Sequence, residues 1–525
     1  MVLYNRYRKG RITIMLDIPD HTESGYSRRK ILRGTGTLAG AGALGTLAGC
    51  SGQSNGDSGN QSNNDSGSGG DGSSDSSGGS SESLTVSFQS AFAAENQATS
   101  EIFAQSMKRF EKQQENVNVD LQKISYADVK NKLSSTVAAG NPPTLAESGS
   151  AGLTLFNQGE VPNHGPWIEE TEGLPDKWLP VNKTVAQFRG DWWTSGTFGI
   201  PANSLGIRPK TFSQIGITDP FSELKTWSNV YDALTRIDEK FPDVIAWEET
   251  GSAGDLESYW GEARTAHTGG KDPWIRGDPT NPEVQIGKNP RTDGMMKNCV
   301  KLAKRFSSEK AAARTNEAIP ALLLTGRVAS FPQIQNSFTE WKAINEDLKF
   351  GWQDGEGDVM MIPYPKLDPE YGSKIGISKL EGIEGEHGGH VWGLENAHTV
   401  FKTGDQKQMD MGWELAMFLH KNEGFMLDLV ERGDPVIPSF TPLLSVVENT
   451  LDLPQPYTQM QEQIEEFGPQ YNNTGSPWDV RGTDQIRWTD INETISQSIA
   501  GQVDVESLPG NVRQKVLTTL EERNS

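Results

Sequence analysis

An alternation of strand-like and helix-like segments, beginning at Leu84, constrains the fold more than any other feature of this sequence. In "LTVSF" the apolar residues Leu84, Val86 and Phe88 alternate with polar ones, which is the period of a half-buried strand. Apolar residues between 102 and 110 then fall on one face of a helix, and "VNVDL" at 117–121 alternates again. This order predicts a strand, a helix and a second strand.

The same alternation continues through a third strand. Val129, Leu133 and Val137 recur every four residues and predict a second helix, which should stop near Gly140. A short strand near Leu145 follows. Strands that alternate with helices favour a parallel sheet covered by helices, so we expect the α/β class. Because a single core stops growing beyond about 250–300 residues, the long body of the chain predicts two domains.

Polar side chains follow the first and third predicted strands at the point where each strand ends. Gln89 and Ser90 end the first strand, and Glu147 and Ser148 end the third. Because ligands of parallel α/β sheets bind at the carboxyl ends of the strands, we expect these four side chains at a ligand-binding edge. The alternative role for each of them is local turn bonding, which short polar side chains commonly adopt.

The N-terminal region has the features of an export signal. Arg28 and Arg29 precede an apolar run at 34–49, which is the order of a secretory signal, and paired arginines are typical of the twin-arginine route. The run ends in "LAGC", which resembles the lipobox of secreted lipoproteins. We therefore expect residues 1–49 to be a cleaved signal peptide and Cys50 to carry lipid. The alternative is a plain cleaved signal with an incidental cysteine.

Composition separates a tether from the body and limits the partners. Residues 51–83 are almost wholly Ser, Gly, Asp, Asn and Gln, so 50–83 is predicted to form a flexible tether that begins at the lipidated cysteine. The chain has 48 Lys and Arg against 70 Asp and Glu, a formal charge of -22, which repels phosphate backbones and argues against a nucleic-acid partner. Such a surface suits a salty medium, where screening removes the self-repulsion, and a halophilic source fits it.

Short motifs in a fixed order carry a resemblance to a known family. They are "KLSSTVAAGNPPTL", "GTFGIPANSLGI", "LLLTGRVASFPQ", "MMIPYPK" and "GGHVWGLENA", followed by "MGWELAMFLHKNEG" and "DPVIPSFTPL". In this order they resemble the extracellular solute-binding proteins of ABC importers, the family of maltose- and oligosaccharide-binding proteins, although Thr144 stands where that family usually has Asp. The resemblance implies a two-lobe periplasmic-binding-protein-like fold, in which each lobe is a sheet flanked by helices and crossing hinge strands join the lobes.

The resemblance also implies how the chain divides between the lobes. Lobe 1 would take residues 84–202 and 330–393, and lobe 2 would take residues 203–329 and 394–525. Closure on a ligand would be a hinge motion, and glycines near the crossings, such as Gly206, are expected to absorb it.

A sugar site needs flat aromatic side chains and polar groups that donate or accept hydrogen bonds. The family order places further candidates at the crossings and on a late helix: Trp192, Trp193, Asn203, Phe331, Trp392 and Trp488. Trp192 and Trp193 are adjacent, and neighbours in a strand face opposite sides, so at most one of them should lie in the core.

Two clusters of ionisable residues suggest other chemistry. "EGEHGGH" contains His387 and His390, residue types that bind zinc, but it lacks a third His or Cys nearby. "DGEGD" at 354–358 has the oxygen spacing of a calcium loop but lacks the distal bidentate carboxylate. The body carries no P-loop, dinucleotide-binding or triad signature. We therefore predict no metal, no cofactor and no catalytic residue.

These features together predict the substrate-binding subunit of an ABC import system, lipid-anchored on the extracellular face of the cell membrane. It would capture a sugar or oligosaccharide between the lobes and deliver it to a membrane permease, whose partner ATPase supplies the energy. One alternative is a surface-tethered polysaccharide-degrading enzyme. Another is the same fold binding a peptide, a polyamine, which needs several converging carboxylates, or a glycerol phosphate, which needs an arginine or a helix N-terminus.

Overall fold

The described part of the chain belongs to the body that follows the predicted tether. The computed structural model describes residues 83–188, 190–253, 256, 275–278, 281–334, 338–365, 368–374, 390–391, 396–467 and 485–524. Several predicted features therefore lie outside the described residues: the export signal with Arg28 and Arg29, the lipidation site Cys50, the tether, and the candidate ligand residue Trp392.

The strands are short, apart from β1, β2 and β7. Their bounds are β1 Leu84–Ser90, β2 Val117–Lys123, β3 Leu145–Glu147, β4 Gln187–Phe188, β5 Asp191–Trp192, β6 Gly199–Ile200, β7 Ala202–Ile207, β8 Ile275–Asp278, β9 Asn281–Val284, β10 Ser330–Ile334, β11 Met360–Ile362, β12 His390–Val391, β13 His398–Val400 and β14 Ile437–Pro438.

Helices account for much of the rest of the described chain. Their bounds are α1 Gln97–Gln113, α2 Tyr126–Ala138, α3 Gly149–Asn157, α4 Gly165–Glu170, α5 Pro180–Ala186, α6 Pro209–Gln214, α7 Pro220–Glu223, α8 Trp227–Lys240, α9 Pro290–Phe306, α10 Ile319–Leu324, α11 Phe338–Ile344, α12 Pro369–Lys374, α13 Gln406–Lys421, α14 Glu423–Arg432, α15 Pro442–Thr450, α16 Gln455–Phe467, a π-helix at Gln485–Glu493, α17 Thr494–Ile499 and α18 Leu508–Asn524. Short 3₁₀ turns lie at Phe92–Ala94, Ala311–Ala313, Asn316–Ala318 and Gln353–Gly355. Among the described helices, none combines the length and the apolar character that a membrane span requires.

The first sheet has the strand order β13-β3-β1-β2. β1 runs parallel to β2, with Leu84 opposite Val117, and parallel to β3, with Phe88 opposite Leu145. β13 is antiparallel to β3 and occupies its outer edge. Since α1 and α2 connect the parallel strands, the predicted α/β class and the predicted order of the first five elements are confirmed.

The sequence supplies caps where α1 and α2 begin and end. The side chain of Asn96 accepts a hydrogen bond from the backbone N–H of Thr99 at the start of α1, and Ser125 does the same for Asp128 at the start of α2. Gly140 follows α2 with a φ of 76°, which favours glycine because its backbone has no Cβ to clash.

A second sheet is built around β7 and joins distant parts of the chain. β10 pairs with β7 on one edge, with Phe331 opposite Gly206, and β11 pairs on the other edge, with Met361 opposite Gly206. β12 also pairs with β7, where His390 lies opposite Asn203. These strands are the crossing strands that the motif order predicted, and all of them are antiparallel to β7.

The buried apolar side chains divide into clusters that follow the two sheets. One cluster joins the first sheet to α1, α13 and α14 through residues such as Phe88, Phe103 and Phe425. A second contains β7, α8 and α9 residues such as Leu205 and Trp227. A third packs α9 against α18 and the π-helix. The first and second clusters therefore form separate cores on either side of the crossing strands.

The later segments divide between these cores differently from the predicted lobe boundaries. Residues 398–400, predicted in lobe 2, form β13 and belong to the first sheet. On β11, Met360 and Ile362 pack with Leu205 in the second cluster, whereas Met361 between them packs in the first cluster. The physical reason in the first case is that β3 would otherwise leave an unpaired edge, and β13 satisfies its backbone groups.

Candidate ligand-binding site

The strand ends of β1 and β3 meet as the sequence predicts. The Ser90 hydroxyl donates a hydrogen bond of 2.8 Å to Glu147 Oε1, and both side chains are buried. Ser148 follows Glu147, and its Oγ lies 2.7 Å from Thr399 Oγ1 on β13. Gln89 is also buried, and its Nε2 donates to Gln122 Oε1 at 3.3 Å. The structure thus places the four candidates at the carboxyl ends of β1 and β3, where Ser90 bonds to Glu147 while Gln89 bonds to β2 and Ser148 to β13.

The Glu147 carboxylate is already engaged by donors of its own chain. Its Oε2 accepts hydrogen bonds of 2.7 Å from the backbone N–H groups of Ala91 and Phe92, at the start of the 3₁₀ turn after β1. His398 Nε2 lies 3.7 Å from Oε1. A buried carboxylate needs such partners because an unpaired charge is costly away from water. Glu147 therefore holds the sheet edge together, and direct ligand contact by its carboxylate stays a prediction.

The two adjacent tryptophans face different environments. Trp193 is fully buried, and its Nε1 donates to the carbonyl of Val185 at 2.8 Å. Trp192 is half-buried, and its ring lies 5.9 Å from the ring of Trp178. The expectation that at most one of the pair lies fully in the core agrees with this arrangement. Trp192 is the member of the pair whose ring can still meet a ligand.

The remaining candidates lie on the crossing strands and on the π-helix. Phe331 on β10 is fully buried, with its ring against Gly206 and 5.8 Å from the ring of Trp341. Asn203 is a backbone member of β7, opposite Ile334 and His390. Phe331 thus packs in the core, whereas the ligand roles of Asn203 and Trp488 stay predictions.

Trp488 belongs to a π-helical segment, which is a rare backbone form. The segment runs over nine residues, Gln485–Glu493. π-helical turns are often found at functional sites, because the wider turn displaces side chains from the regular helical positions.

A stripe of glutamines that the sequence analysis missed faces the crossing strands. Gln455, Gln459 and Gln463 recur every four residues on α16, and Gln459 and Gln463 are buried. Gln463 Nε2 donates to Ser204 Oγ on β7, and Gln455 bonds to the backbone of Met361 on β11. The signal was present in "QPYTQMQEQ", because a polar residue at every fourth position marks one helical face.

A buried carboxyl lies where the chain enters β14. Asp434 Oδ2 accepts hydrogen bonds from Asn96 Nδ2 at 2.8 Å and Thr99 Oγ1 at 2.9 Å, at the N-terminus of α1. Burial raises the pKa of Asp434 to about 7, although the Thr99 hydrogen bond opposes this shift. Asp434 therefore titrates near neutral pH at the junction between the N-terminus of α1 and the entry to β14.

The two sequence clusters that resemble metal-binding motifs gain no support from the described residues. Within these residues, no group of three or more His, Cys, Asp or Glu is placed to hold a metal ion. Asp358 of the "DGEGD" segment instead pairs with Lys210 at 2.8 Å. His387 lies outside the described residues, and His390 is described only through its backbone.

Solved structures with the same fold are two-lobe binding proteins. One is an ABC transporter solute-binding protein from Thermotoga lettingae TMO bound with alpha-D-tagatose, with a TM-score of 0.61, 17% identity, and 84% of this chain and 100% of that chain covered. The sugar-binding protein MalE from Xanthomonas citri has a TM-score of 0.61, 17% identity, and 84% and 98% covered. Maltose-bound MalE3 of T. maritima has a TM-score of 0.61, 13% identity, and 83% and 100% covered. At these identities the likeness shows the fold alone.

The fold and the crossing strands thus define a two-lobe binding protein of the periplasmic-binding-protein type. The family model described as bacterial extracellular solute-binding protein matches residues 85–379, more than half of the chain. The chain belongs to that family, and the resemblance stated from its motifs is confirmed. No curated protein matches the sequence.

Proposed function

We propose that this protein is the substrate-binding subunit of an ABC import system, and that it captures a sugar or oligosaccharide between its lobes. The observation that carries the proposal is the family match over residues 85–379, which includes the crossing strands β7, β10 and β11. A ligand held between the lobes favours the closed state by the difference between its affinities for the two states. The closed form then delivers the ligand to a membrane permease, with no chemistry on the ligand.

The carbohydrate class is supported by the ligands of proteins with this fold. Solved relatives include proteins bound with alpha-D-tagatose, maltotriose and laminaribiose. Trp192 is half-buried with its ring 5.9 Å from that of Trp178, and Trp488 lies in the π-helix. Aromatic faces of this kind stack on the apolar faces of sugars, while nearby polar groups meet the hydroxyls.

Binding is tested by thermal unfolding of the full chain with a panel of ligands. The panel holds D-tagatose, maltose, maltotriose, laminaribiose, spermidine, glycerol 3-phosphate and a dipeptide. A specific ligand at 100 times its dissociation constant stabilises the native state by about 2.7 kcal/mol, which raises the melting temperature measurably. We expect the shift with a sugar, and the sugar recovered unchanged. A cleaved sugar would favour the enzyme alternative, and a shift with spermidine alone would contradict the carbohydrate class.

Matched variants localise the sugar. Trp192→Ala removes a half-buried ring that the motif order places just before the first crossing, and is expected to weaken sugar binding by up to about tenfold. Trp352→Ala removes a half-buried ring that packs against the second core, and serves as the control. Equal loss of binding in both variants would contradict the role of Trp192.

We further propose that the protein is exported through the signal at 1–49, held on the extracellular face of the cell membrane by lipid on Cys50, and separated from it by the tether at 50–83. The order of paired arginines, apolar run and "LAGC" supports this. Cys50→Ala is expected to move the protein from the membrane fraction to the medium. Cys299→Ala, at a buried cysteine, is the matched control and should leave the protein at the membrane.

A further inference from the structure

A pocket in the helical layer over the first sheet lies apart from the strand-end cluster. Its volume is about 570 Å³, within the range of about 300–1,000 Å³ typical of small-molecule sites. Its walls come from the last turn of α1, from α4 and the residues after it, and from α13. Ser90, Glu147 and Ser148 do not line it. Nothing in the proposed function uses this pocket.

One wall of the pocket is a pair of stacked indole rings. Trp167 and Trp413 lie with ring centroids 5.7 Å apart and planes 15° from parallel. Trp167 Nε1 donates to Asp410 Oδ1 at 2.8 Å, and Trp413 Nε1 donates to Thr171 Oγ1 at 3.0 Å. Because both N–H groups have partners inside the protein, the rings are held in place before any ligand arrives. Trp167 is half-buried and supplies the accessible aromatic surface.

A buried histidine supports these rings without adding charge. The ring of His164 lies 5.3 Å from that of Trp167 and 5.8 Å from that of Trp413. Its Nε2 accepts a hydrogen bond from the backbone N–H of Val400. Burial lowers the pKa of His164 to about 3, so the imidazole is neutral at physiological pH. The histidine behind the aromatic wall therefore stays uncharged over the physiological pH range.

The rim of the pocket mixes charges of both signs with amides. Glu170, Glu172 and Glu414 are exposed carboxylates, whereas Lys421 is half-buried and donates to the carbonyl of Glu172 at 3.3 Å. The amides of Gln113 and its neighbour also line the pocket. Three carboxylates oppose an anionic ligand, and the ammonium of Lys421 offsets part of their negative charge. A neutral ligand with many hydroxyls fits both, because a hydroxyl donates to carboxylates and accepts from ammonium.

We propose that this pocket is a second binding site, specific for a neutral sugar or for one unit of a neutral oligosaccharide. The apolar face of the sugar ring lies against Trp167, and its hydroxyls bond to Glu414, Lys421 and the amides of α1. The site is independent of the ligand between the lobes, so it neither requires nor excludes the import function. It gives the protein a place to hold a glycan on the outside of the first sheet.

Hydrogen–deuterium exchange on the full chain tests the proposal with maltose and maltotriose as probes. Occupation of the pocket is expected to slow exchange in residues 165–172 and 410–422. Occupation between the lobes slows exchange in the crossing strands at 202–207 and 330–334 instead, so the two sites are read separately. Protection only in the crossing strands would overturn this proposal and support the import function. Protection around the pocket alone would support this proposal and would show that the probe sugars are not the ligands held between the lobes.

Variants and charged probes complete the test. Trp167→Ala is expected to abolish the protection around the pocket, and Glu414→Gln to weaken sugar binding there by about tenfold. Glu431→Gln, at an exposed glutamate of α14 outside the pocket, is the matched control and should change nothing. If Trp167→Ala does not fold, Glu414→Gln decides. Equal protection by glucuronate or spermidine would overturn the assignment to neutral sugars, as would unchanged protection in Glu414→Gln.

Discussion

Gln455 bonds to both backbone polar groups of Met361. The Met361 N–H donates to Gln455 Oε1 at 3.0 Å, and Gln455 Nε2 donates to the Met361 carbonyl at 2.7 Å. Since β11 lies at one edge of the sheet around β7, the side-chain amide replaces the neighbouring strand that this edge lacks at Met361. The side chain of Gln455 thereby ties α16 to a crossing strand through one donated and one accepted hydrogen bond.

Replacing Gln455 should loosen the crossing sheet. Gln455→Ala leaves two backbone groups without a protein partner, and we expect the free energy of unfolding to fall by about 1–2 kcal/mol, with water replacing part of the loss at this half-buried site. Urea titration measures the change. Thr458→Ala, at an exposed position of the same helix, is the control and should cost less. Equal losses of unfolding free energy in the two variants would show that the hydrogen bonds between Gln455 and Met361 contribute nothing of their own.

Asp434 should make stability depend on pH in the neutral range. Its pKa is raised to about 7 by burial, above the unfolded value, so the folded state binds a proton more tightly. The stability that this proton brings is complete below about pH 4 and is lost as the pH rises through about 7. It amounts to about 1.4 kcal/mol for each unit by which the folded pKa exceeds the unfolded pKa. Asp434→Asn should flatten this part of the curve. Unfolding at pH 5, 7 and 9 measures it, with the exposed Asp452→Asn as control.

The ion pair between Arg314 and Glu248 should be costly to break from one side. Arg314 Nε lies 2.6 Å from Glu248 Oε1, and the glutamate side chain is fully buried. Arg314→Met leaves a buried carboxylate without its cation, and we expect a loss of about 3–5 kcal/mol. Arg432→Met breaks an exposed pair with Asp428 and should cost at most about 1 kcal/mol. A similar loss of stability in both variants would contradict the expected difference between the buried and the exposed ion pair.

Gly206 should tolerate no side chain while Phe331 is opposite. A methyl group at Gly206 would overlap the Phe331 ring, so Gly206→Ala is expected to destabilise the protein by about 1–3 kcal/mol. Phe331→Leu makes room, and the double variant should recover part of this loss. The coupling energy from the double-mutant cycle measures it. Additive losses would mean that the ring and the glycine do not constrain each other.

The sequence predicted the first sheet well because its signals are local. The alternation from Leu84 to Leu145 sets strand and helix periods within a few residues, and the stop at Gly140 lies next to the helix that it ends. The meeting of Ser90 with Glu147 followed from the rule for parallel strands. These predictions needed no knowledge of distant contacts.

The sequence could not supply the long-range pairings. That β13 belongs beside β3 depends on contacts about 250 residues apart, as between Ser148 and Thr399. Nor does the sequence reveal that the Glu147 carboxylate already accepts hydrogen bonds from donors of its own chain. The sequons at Asn182 and Asn492 read as possible glycosylation sites, yet both asparagines are fully buried in the folded chain. Burial of this kind depends on packing between remote segments.

The late arrival of β13 has a consequence for the growing chain. β3 ends at Glu147, and the strand that covers its edge begins at His398. At synthesis rates of about 5–20 residues per second, the edge of β3 waits roughly 10–50 s for its partner. During that interval the nascent protein presents an open template for pairing with other chains. Protection by a chaperone during biosynthesis is thus most valuable between the emergence of β3 and that of β13.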